Sequence, residues 1–461
     1  MTSAGHDLIA ILDVGKTNTK LSLVDASNSE PTYVAQKGNA PVTALSMRQL
    51  DIAGIEHWLL GQLHDFPEKR RITAIVPVAH GAACVLVDHD GQVIAAPDYE
   101  DSCFCETASE YARERSPFSE TFSPRLPHGL NLGAQLHFLE TRHQRVFDRA
   151  EWILPLPQYW AYRLSGVASC EVSSLGTHTD LWQPVRGAYS SLVTRRKWEK
   201  RFAPLCPATD ILGPLQDDIV YATCLASTCK VYCGVHDSNA SWLAHLKEVR
   251  RGADLTVISS GTWTIAMKSG GDLARLQETR DMLANVDVFG SPVATARFMG
   301  GREFEMIAGA TPGTATIADL ERVIAVGAMA LPSFTESGGP FPGRVGRIIE
   351  GLGLSAGERT ALAGLYVALV TDVLLELLGP SEYIVIDGPF AANPLYVCIL
   401  KALRPRSYVS VSNLVSGTSA GALALVLGDA MPARSTANLS VEAPPVKGLV
   451  EYRDAWRICI A

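Results

Sequence analysis

Two stretches of this sequence share one pattern: a short apolar run, a turn rich in glycine and threonine, then a run in which apolar and polar residues alternate. The first comprises residues 8–13, the turn at 14–18 and residues 19–24. The second comprises residues 255–259, the turn at 260–262 and residues 263–267. Alternation directly after a tight turn marks a returning β-strand, because successive strand side chains face opposite sides of a sheet. Each stretch is therefore read as a β-hairpin. A chain of 461 residues is too long for one ordinary core, so a hairpin near the start of each half implies two similar halves. The charged segment 247–252 precedes the second hairpin and is taken as the boundary, giving domains 1–247 and 248–461. Between the hairpins, residues 133–147 read as one helix with Leu136, Leu139 and Val146 near one face, and Pro155 and Pro157 interrupt the chain before 159–164. The second half carries a long helix at 358–378, a strand at 383–386 and a turn beginning Asp387-Gly388-Pro389. The fold class is α/β throughout.

Composition removes several classes of function. The 40 Lys and Arg are outnumbered by 48 Asp and Glu, for a net charge of −8, and no basic run forms a stripe able to neutralise nucleic-acid phosphates. No nucleic-acid partner is expected. The opening residues show no basic segment followed by a long apolar one, so no export signal is expected. The most apolar later stretch, 361–378, contains Asp372 and Glu376. A charge at mid-bilayer depth is costly, so this stretch reads as a buried helix of a protein with no membrane span. Ten cysteines include no C-x-x-C pair, and Cys224, Cys229 and Cys233 lack a histidine at ligand spacing. They read as small buried hydrophobes in a reducing cytoplasm. A homodimer is the default expectation for such a chain.

Three motifs compete to carry chemistry. Residues 10–17, ending Gly15-Lys16-Thr17, fit the loose phosphate-loop pattern of nucleotide hydrolases. That motif needs a flexible glycine-rich loop leading into a helix, whereas here Ile, Leu, Asp and Val precede the turn and a strand follows it. Gly417-Thr-Ser419-Ala-Gly421 fits the nucleophile elbow of α/β-hydrolases, whose histidine follows the serine in chain order. All eleven histidines lie before residue 246, so that reading fails, and the small residues suit close helix packing or backbone approach to a nucleotide. The third constellation is distributed. Asp13 ends the first strand beside a turn whose backbone N–H groups, with Lys16 or Thr17, would face phosphates; Ser260-Gly261-Thr262 offers a second such turn; and His236-Asp237 follows an apolar strand. Two phosphate-facing hairpins, a carboxylate on the metal side and a base are the parts needed for phosphoryl transfer.

With these motifs in this order, the chain resembles the FGGY family of carbohydrate kinases across essentially its whole length, in the form closest to L-rhamnulokinases and L-fuculokinases. Residues 13–20 resemble the family's first phosphate motif, Gly234-Val-His236-Asp237-Ser238 the segment of the catalytic aspartate, and Ser259-Ser260-Gly261-Thr262-Trp263 the second phosphate motif. Residues 387–395, with Gly388, Pro389 and Asn393, resemble the adenosine motif, followed by the small-residue segment 417–421. His80-Gly81-Ala82 and Tyr99-Glu-Asp101 resemble the substrate loops, the latter in a rhamnulokinase-like Tyr-x-Asp form, and Asn285 matches a substrate asparagine of rhamnulokinases. Lys16 stands where the family has threonine or a small residue, and the adenosine motif is poorer in glycine than usual.

The resemblance implies two ribonuclease-H-like domains of the actin and sugar-kinase type around a central cleft, ATP and Mg²⁺ as cofactors, and a small sugar as substrate. It assigns Asp237 as base and Asp13 to the metal. His80, Gly81, Ala82, Tyr99, Asp101, His236 and Asn285 fall to the sugar. Gly15, Lys16, Thr17, Asn18, Ser260, Gly261, Thr262, Gly388, Pro389 and Asn393 fall to the nucleotide. Asp237 is also placed to cap the helix suggested by residues 238–243, and Arg302 to reach phosphates or form a surface ion pair. The favoured acceptor is a ketose or 6-deoxyketose such as L-rhamnulose or L-fuculose, with other pentuloses and polyols open. A catalytically silent sensor and an actin-like ATPase are the readings from other classes.

Overall fold

The computed structural model describes residues 7–248, 252, 254–336, 338–412, 414, 416–430, 438–440 and 445–460. Val249, Arg250 and Arg251 of the charged boundary segment lie outside these. The chain forms two compact units. The first is Met1–Lys247 with Ala284–Pro292 and Ser416–Arg434; the second is Glu248–Leu283, Val293–Val415 and Ser435–Ala461. A single cut at 247 therefore does not describe the units, since two later segments belong to the first.

The first unit is built on a seven-stranded sheet. Strands β1 (Leu8–Val14), β2 (Asn18–Asp25) and β3 (Pro31–Gly38) form an antiparallel meander. Strand β4 (Ile72–Ala79) lies parallel to β1 on its other side, with β5 (Ile211–Pro214), β6 (Lys230–Tyr232) and β7 (Val235–His236) beyond it in the order β5-β6-β4-β1-β2-β3, β7 also pairing with β4. Strand β1 is apolar at successive positions because both its faces are covered. Leu8, Ala10 and Leu12 join the larger core, which includes helix α1 (Leu156–Ser165), while Ile9 and Ile11 join a second cluster. That second cluster takes Ala240 and Leu243 from helix α3 (Asp237–Glu248), and Leu423 and Leu425 from the helix Gly417–Leu427. The short helix α2 (Val172–Leu175) lies between α1 and α3 in sequence.

The second unit repeats this plan. Strands β8 (Leu255–Ser260), β9 (Thr264–Ser269) and β11 (Pro292–Phe298) are antiparallel neighbours; β10 (Met282–Val286), of which Ala284–Val286 are assigned to the first unit, is the edge strand of the same sheet. Strands β12 (Tyr383–Asp387) and β13 (Tyr408–Ser412) follow in parallel on the other side of β8, and Asn438–Ser440 closes the sheet antiparallel to β13. Three antiparallel strands, two parallel ones and a final antiparallel strand occur in the same order in both sheets, so the two similar hairpins belong to one repeated topology. Helix α4 (Gly300–Ala308) and helix α5 (Ala356–Leu378) pack together, and α5 also packs on α6 (Pro394–Leu403). Among the described residues α5 is the one helix long and apolar enough to cross a membrane, and it is a buried core helix. Its Asp372 is paired with Arg404 and Arg457, each at 2.7 Å, which explains how a carboxylate is tolerated there.

One element differs from the sequence reading. The helix expected over 133–147 is two helices, Leu132–Arg142 and Gln144–Arg149, because His143 leaves the helical region at φ −125°, ψ 41°. The break buries Phe147 and leaves Val146 only partly buried.

Candidate active site

The site in the first unit starts from the β1–β2 turn. Gly15 N–H donates to Asn18 O at 2.9 Å, and Asn39, just past β3, braces the loop. Asn39 donates its backbone N–H to Thr17 O (2.8 Å) and its side-chain N–H to Gly15 O (2.8 Å), and it accepts from the Thr19 hydroxyl (2.9 Å). Thr17 and Asn18 are left exposed at the tip. Lys16 turns to the neighbouring loop: its Nζ lies 2.7 Å from Asp98 Oδ1, 3.3 Å from Glu100 Oε2 and 5.2 Å from the Tyr99 ring centre. Asp98, fully buried, also meets Arg48 Nη2 at 3.1 Å. Burial opposes its ionisation, but the bonds from Lys16 and the Glu100 N–H, with Arg48 nearby, hold its carboxyl below the ordinary range.

Asp13 is the penultimate residue of β1, with Lys20 Nζ 3.7 Å away across the hairpin. Its pKa is raised to about 6, by burial first and by the charge of Asp237 second, against the opposing pull of Lys20. At the end of β4, His80 continues the ladder through its N–H to Val14 O (3.0 Å), bonds Gly81 O through Nδ1 (2.9 Å), and sets its ring edge-on to Tyr99 at 5.7 Å. Gly81 is required by packing, since a Cβ there would lie 2.7 Å from His236 Nε2. Ala82 adopts a positive φ of 54°.

Gly234 has φ +85°, and a Cβ on it would fall 2.6 Å from Pro77 O, so only glycine lets β7 lie down on β4. That places His236 beside Ala79 and starts α3 at Asp237. Asp237 Oδ1 accepts from Ser238 N (2.5 Å) and the Ser238 hydroxyl (3.1 Å), and faces His236 Nε2 at 3.2 Å. The Asp237 side chain is 31% exposed while that of His236 is 6% exposed. Burial pushes the pKa values of both His80 and His236 down, so both rings are neutral, against the pull of Asp237. Asn285 is nearly buried on β10, in the segment that belongs to the first unit. Asp101 has both carboxylate oxygens on backbone donors, Cys103 N (2.8 Å) and Arg48 N (2.5 Å), and caps a 3₁₀ turn.

In the second unit, the turn after β8 is tied to the turn after β12. The Ser260 hydroxyl donates to Asp387 O (2.6 Å) and accepts from Phe390 N (3.0 Å). Gly388 has φ +81°, and a Cβ there would sit 2.1 Å from Ser260 O. Gly301, in the first turn of α4, lies so close to Gly261 that a Cβ would sit 2.2 Å from its carbonyl. Pro389 opens the following 3₁₀ turn, Thr262 is exposed, and Asn393 caps α6 by accepting from Tyr396 N at 3.2 Å. Arg302 is exposed on α4.

Comparison with known proteins fits these two half-sites. The sequence profile described as the C-terminal domain of FGGY carbohydrate kinases matches residues 252–435. A crystal structure of a carbohydrate kinase from Novosphingobium aromaticivorans superposes with a TM-score of 0.90 at 36% identity, covering 99% of each chain. The chain belongs to the FGGY carbohydrate kinases. It is a phosphotransferase of the sugar-kinase type. Xylulose kinase from Lactobacillus acidophilus (TM-score 0.78, 15% identity, 98% of this chain and 96% of that one) shares the fold. So does Plasmodium falciparum glycerol kinase with ADP (0.78, 11%, 99% and 98%). No curated protein sequence matches the chain. Four residues around the kinase's half-sites escaped the sequence reading: Asn39, Asp98, Thr177 and Asn239. Each makes contacts with residues outside its own motif or contacts that depend on hydrogen-bond direction, which no local pattern encodes.

Proposed function

We propose that this kinase transfers the γ-phosphoryl group of ATP to a hydroxyl of an uncharged ketose, L-rhamnulose or L-fuculose first among them, with Asp237 as base. The observation that carries the reading is how Asp237 is held. Its Oδ1 is engaged by Ser238 and faces His236, while among the described residues Oδ2 takes no hydrogen bond on a side chain that remains partly open. The sugar oxygen attacks the γ-phosphorus in line; the new O–P bond forms as the bond to the β,γ-bridging oxygen breaks, ADP leaves, and the hydroxyl proton passes to Asp237 Oδ2. The transition state is loose, so the proton moves late and an ordinary carboxylate suffices.

Charge around the site favours a neutral sugar. Lys16 and Arg48 are matched by Asp98 and Glu100, and both histidines are neutral. Lys16 would have to leave Asp98 to reach a phosphate. His80, Gly81, Tyr99 and His236 are read as the wall that meets the sugar, and the Tyr-x-Asp and Ser-Ser-Gly-Thr-Trp forms favour the deoxyketoses. Asp13, a hard oxygen donor whose charge Asp237 opposes, fits Mg²⁺ held through water and nucleotide phosphates. Bound there, the ion would neutralise charge on the β- and γ-phosphate oxygens. The turns after β1 and β8 offer backbone N–H groups to phosphates, and the loop of Gly388 and Pro389 lies along the nucleotide in this reading. All ten cysteines are free thiols, in keeping with a cytoplasmic enzyme.

The test is a sugar panel in which the phosphorylated product is detected directly. Turnover is expected with a ketose, and Asp237→Asn is expected to lower it by about 10²–10⁴-fold with ATP binding kept. ATP hydrolysis without a sugar product, or an active Asp237→Asn, would remove the proposal.

A further inference from the structure

His236 is buried, and each of its ring nitrogens meets one group: Nδ1 is 3.1 Å from Asn239 Nδ2, and Nε2 is 3.2 Å from Asp237 Oδ1. A neutral imidazole has one N–H. Which nitrogen carries it decides whether Asp237 meets a donor or a lone pair. The direction can be traced from outside the site. The Thr177 hydroxyl has a single hydrogen, which it donates to Ser173 O at 2.8 Å. Toward the Asn239 amide, 3.4 Å away, Thr177 Oγ1 can then only accept, so the amide presents its NH₂ side. The same Nδ2 directs its other hydrogen at His236 Nδ1, which must accept, and the ring proton is left on Nε2, facing Asp237. The start of this chain is anchored: Ser173 sits in α2, which buried Glu171 caps by accepting from Ser173 N (2.9 Å) and Ser174 N (3.1 Å).

We infer that Thr177 and Asn239 are positioning residues for phosphoryl transfer, fixing His236 in its Nε2–H form so that it donates to Asp237 Oδ1 and leaves Oδ2 to take the sugar's proton. The inference rests on Asp237 being the base. The opposite tautomer would set a lone pair against a carboxylate oxygen, and the base would have to rotate or take up a proton before substrate arrived. The ring has room for this role because residue 81 beneath Nε2 has no Cβ.

The experiment uses the full-length enzyme with ¹⁵N-labelled histidine, His236→Gln serving to assign the signals. At about pH 8, where a histidine of ordinary pKa is neutral, the wild-type ring is expected to show a protonated Nε2 and a bare Nδ1. Asn239→Asp replaces the donor with an acceptor, and Thr177→Val removes the hydroxyl that orients the amide. Each is expected to change the His236 signal and to lower kcat by about 10- to 100-fold, less than the full worth of a general base, with the sugar KM little altered and melting curves confirming a folded protein. Thr177→Ser keeps the hydroxyl and is expected to recover the wild-type signal and most of the rate lost in Thr177→Val. An Nδ1–H or doubly protonated ring in the wild type, or wild-type kcat in both Asn239→Asp and Thr177→Val, would overturn the inference. Persistent turnover in Asp237→Asn, read separately from the ring signal, would instead overturn the base assignment on which it rests.

Discussion

At the scale of single residues, Asp13 shows a site arranged against its own stability. Its carboxyl has a pKa of about 6 in the folded chain against an ordinary 3.8, so the folded state ionises it less readily than the unfolded one. The stability associated with this group is fully present below the unfolded pKa and is lost as pH rises through the folded one. A gap of about two pKa units corresponds to about 3 kcal/mol. Asp13→Asn is therefore expected to melt higher than the wild type above about pH 6, in the absence of metal and nucleotide, the difference closing as pH falls below the unfolded value. The same variant is expected to lose the Mg²⁺ dependence of turnover together with most of the rate. A melting difference that ignores pH would show that Asp13 ionises freely. Residues such as Asp13 and Asp237 were legible because each lies at or just past the end of a short apolar strand, within a recognisable motif. Asp98 was not: it immediately precedes the Tyr-x-Asp pattern that drew attention to Asp101, and only the folded loop pairs it with Lys16 and Arg48.

At the scale of elements, both hairpins could be read because strand periodicity is local, covering about two residues per repeat. What holds their turns is not local. Ser260 bridges to Asp387 and Phe390 from a different strand's turn, and Asn39 reaches back across the β1–β2 loop from beyond β3. The break at His143 was invisible for a related reason, since the stripe of Leu136 and Leu139 does not say which of Val146 and Phe147 the core will take. Gly388 concentrates these constraints: its φ is positive and a Cβ would meet a backbone carbonyl, which cannot swing aside as a long side chain would. Gly388→Ala is expected to cost about 1–3 kcal/mol and to weaken ATP binding, measured by calorimetry, more than sugar binding. Equal loss for both ligands would mean that the turn serves folding alone.

At the scale of the whole chain, the repeated sheet order shows why two short hairpins hinted at duplication, while the units themselves are not contiguous in sequence. Segments from the second half complete the first unit, and no sequence pattern announces that, because such helices are apolar wherever they pack. The helix Gly417–Leu427 makes the consequence testable. It packs against β1 and β4 and presses onto α3: a Cβ on Gly421 would lie 1.7 Å from Ala240 O, and one on Gly417 would lie 2.4 Å from the Ser241 hydroxyl oxygen. The small residues that mimic a nucleophile elbow are thus the ground on which the helix bearing Asp237 stands. Gly421→Val must displace the backbone of α3, so it is expected to cost roughly 3 kcal/mol or more and, in whatever fraction stays folded, to lower kcat further than it raises the KM for ATP. Gly61→Ala is the control: it lies in the helix Ile52–Asp65 with nothing within 4 Å of a new Cβ, and replacing a helical glycine by alanine is expected to leave stability unchanged or raise it by about 1 kcal/mol. If Gly421→Val melts and turns over like Gly61→Ala, the helix Gly417–Leu427 does not support α3, and the placement of Asp237 depends on β7 and the preceding Gly234 alone.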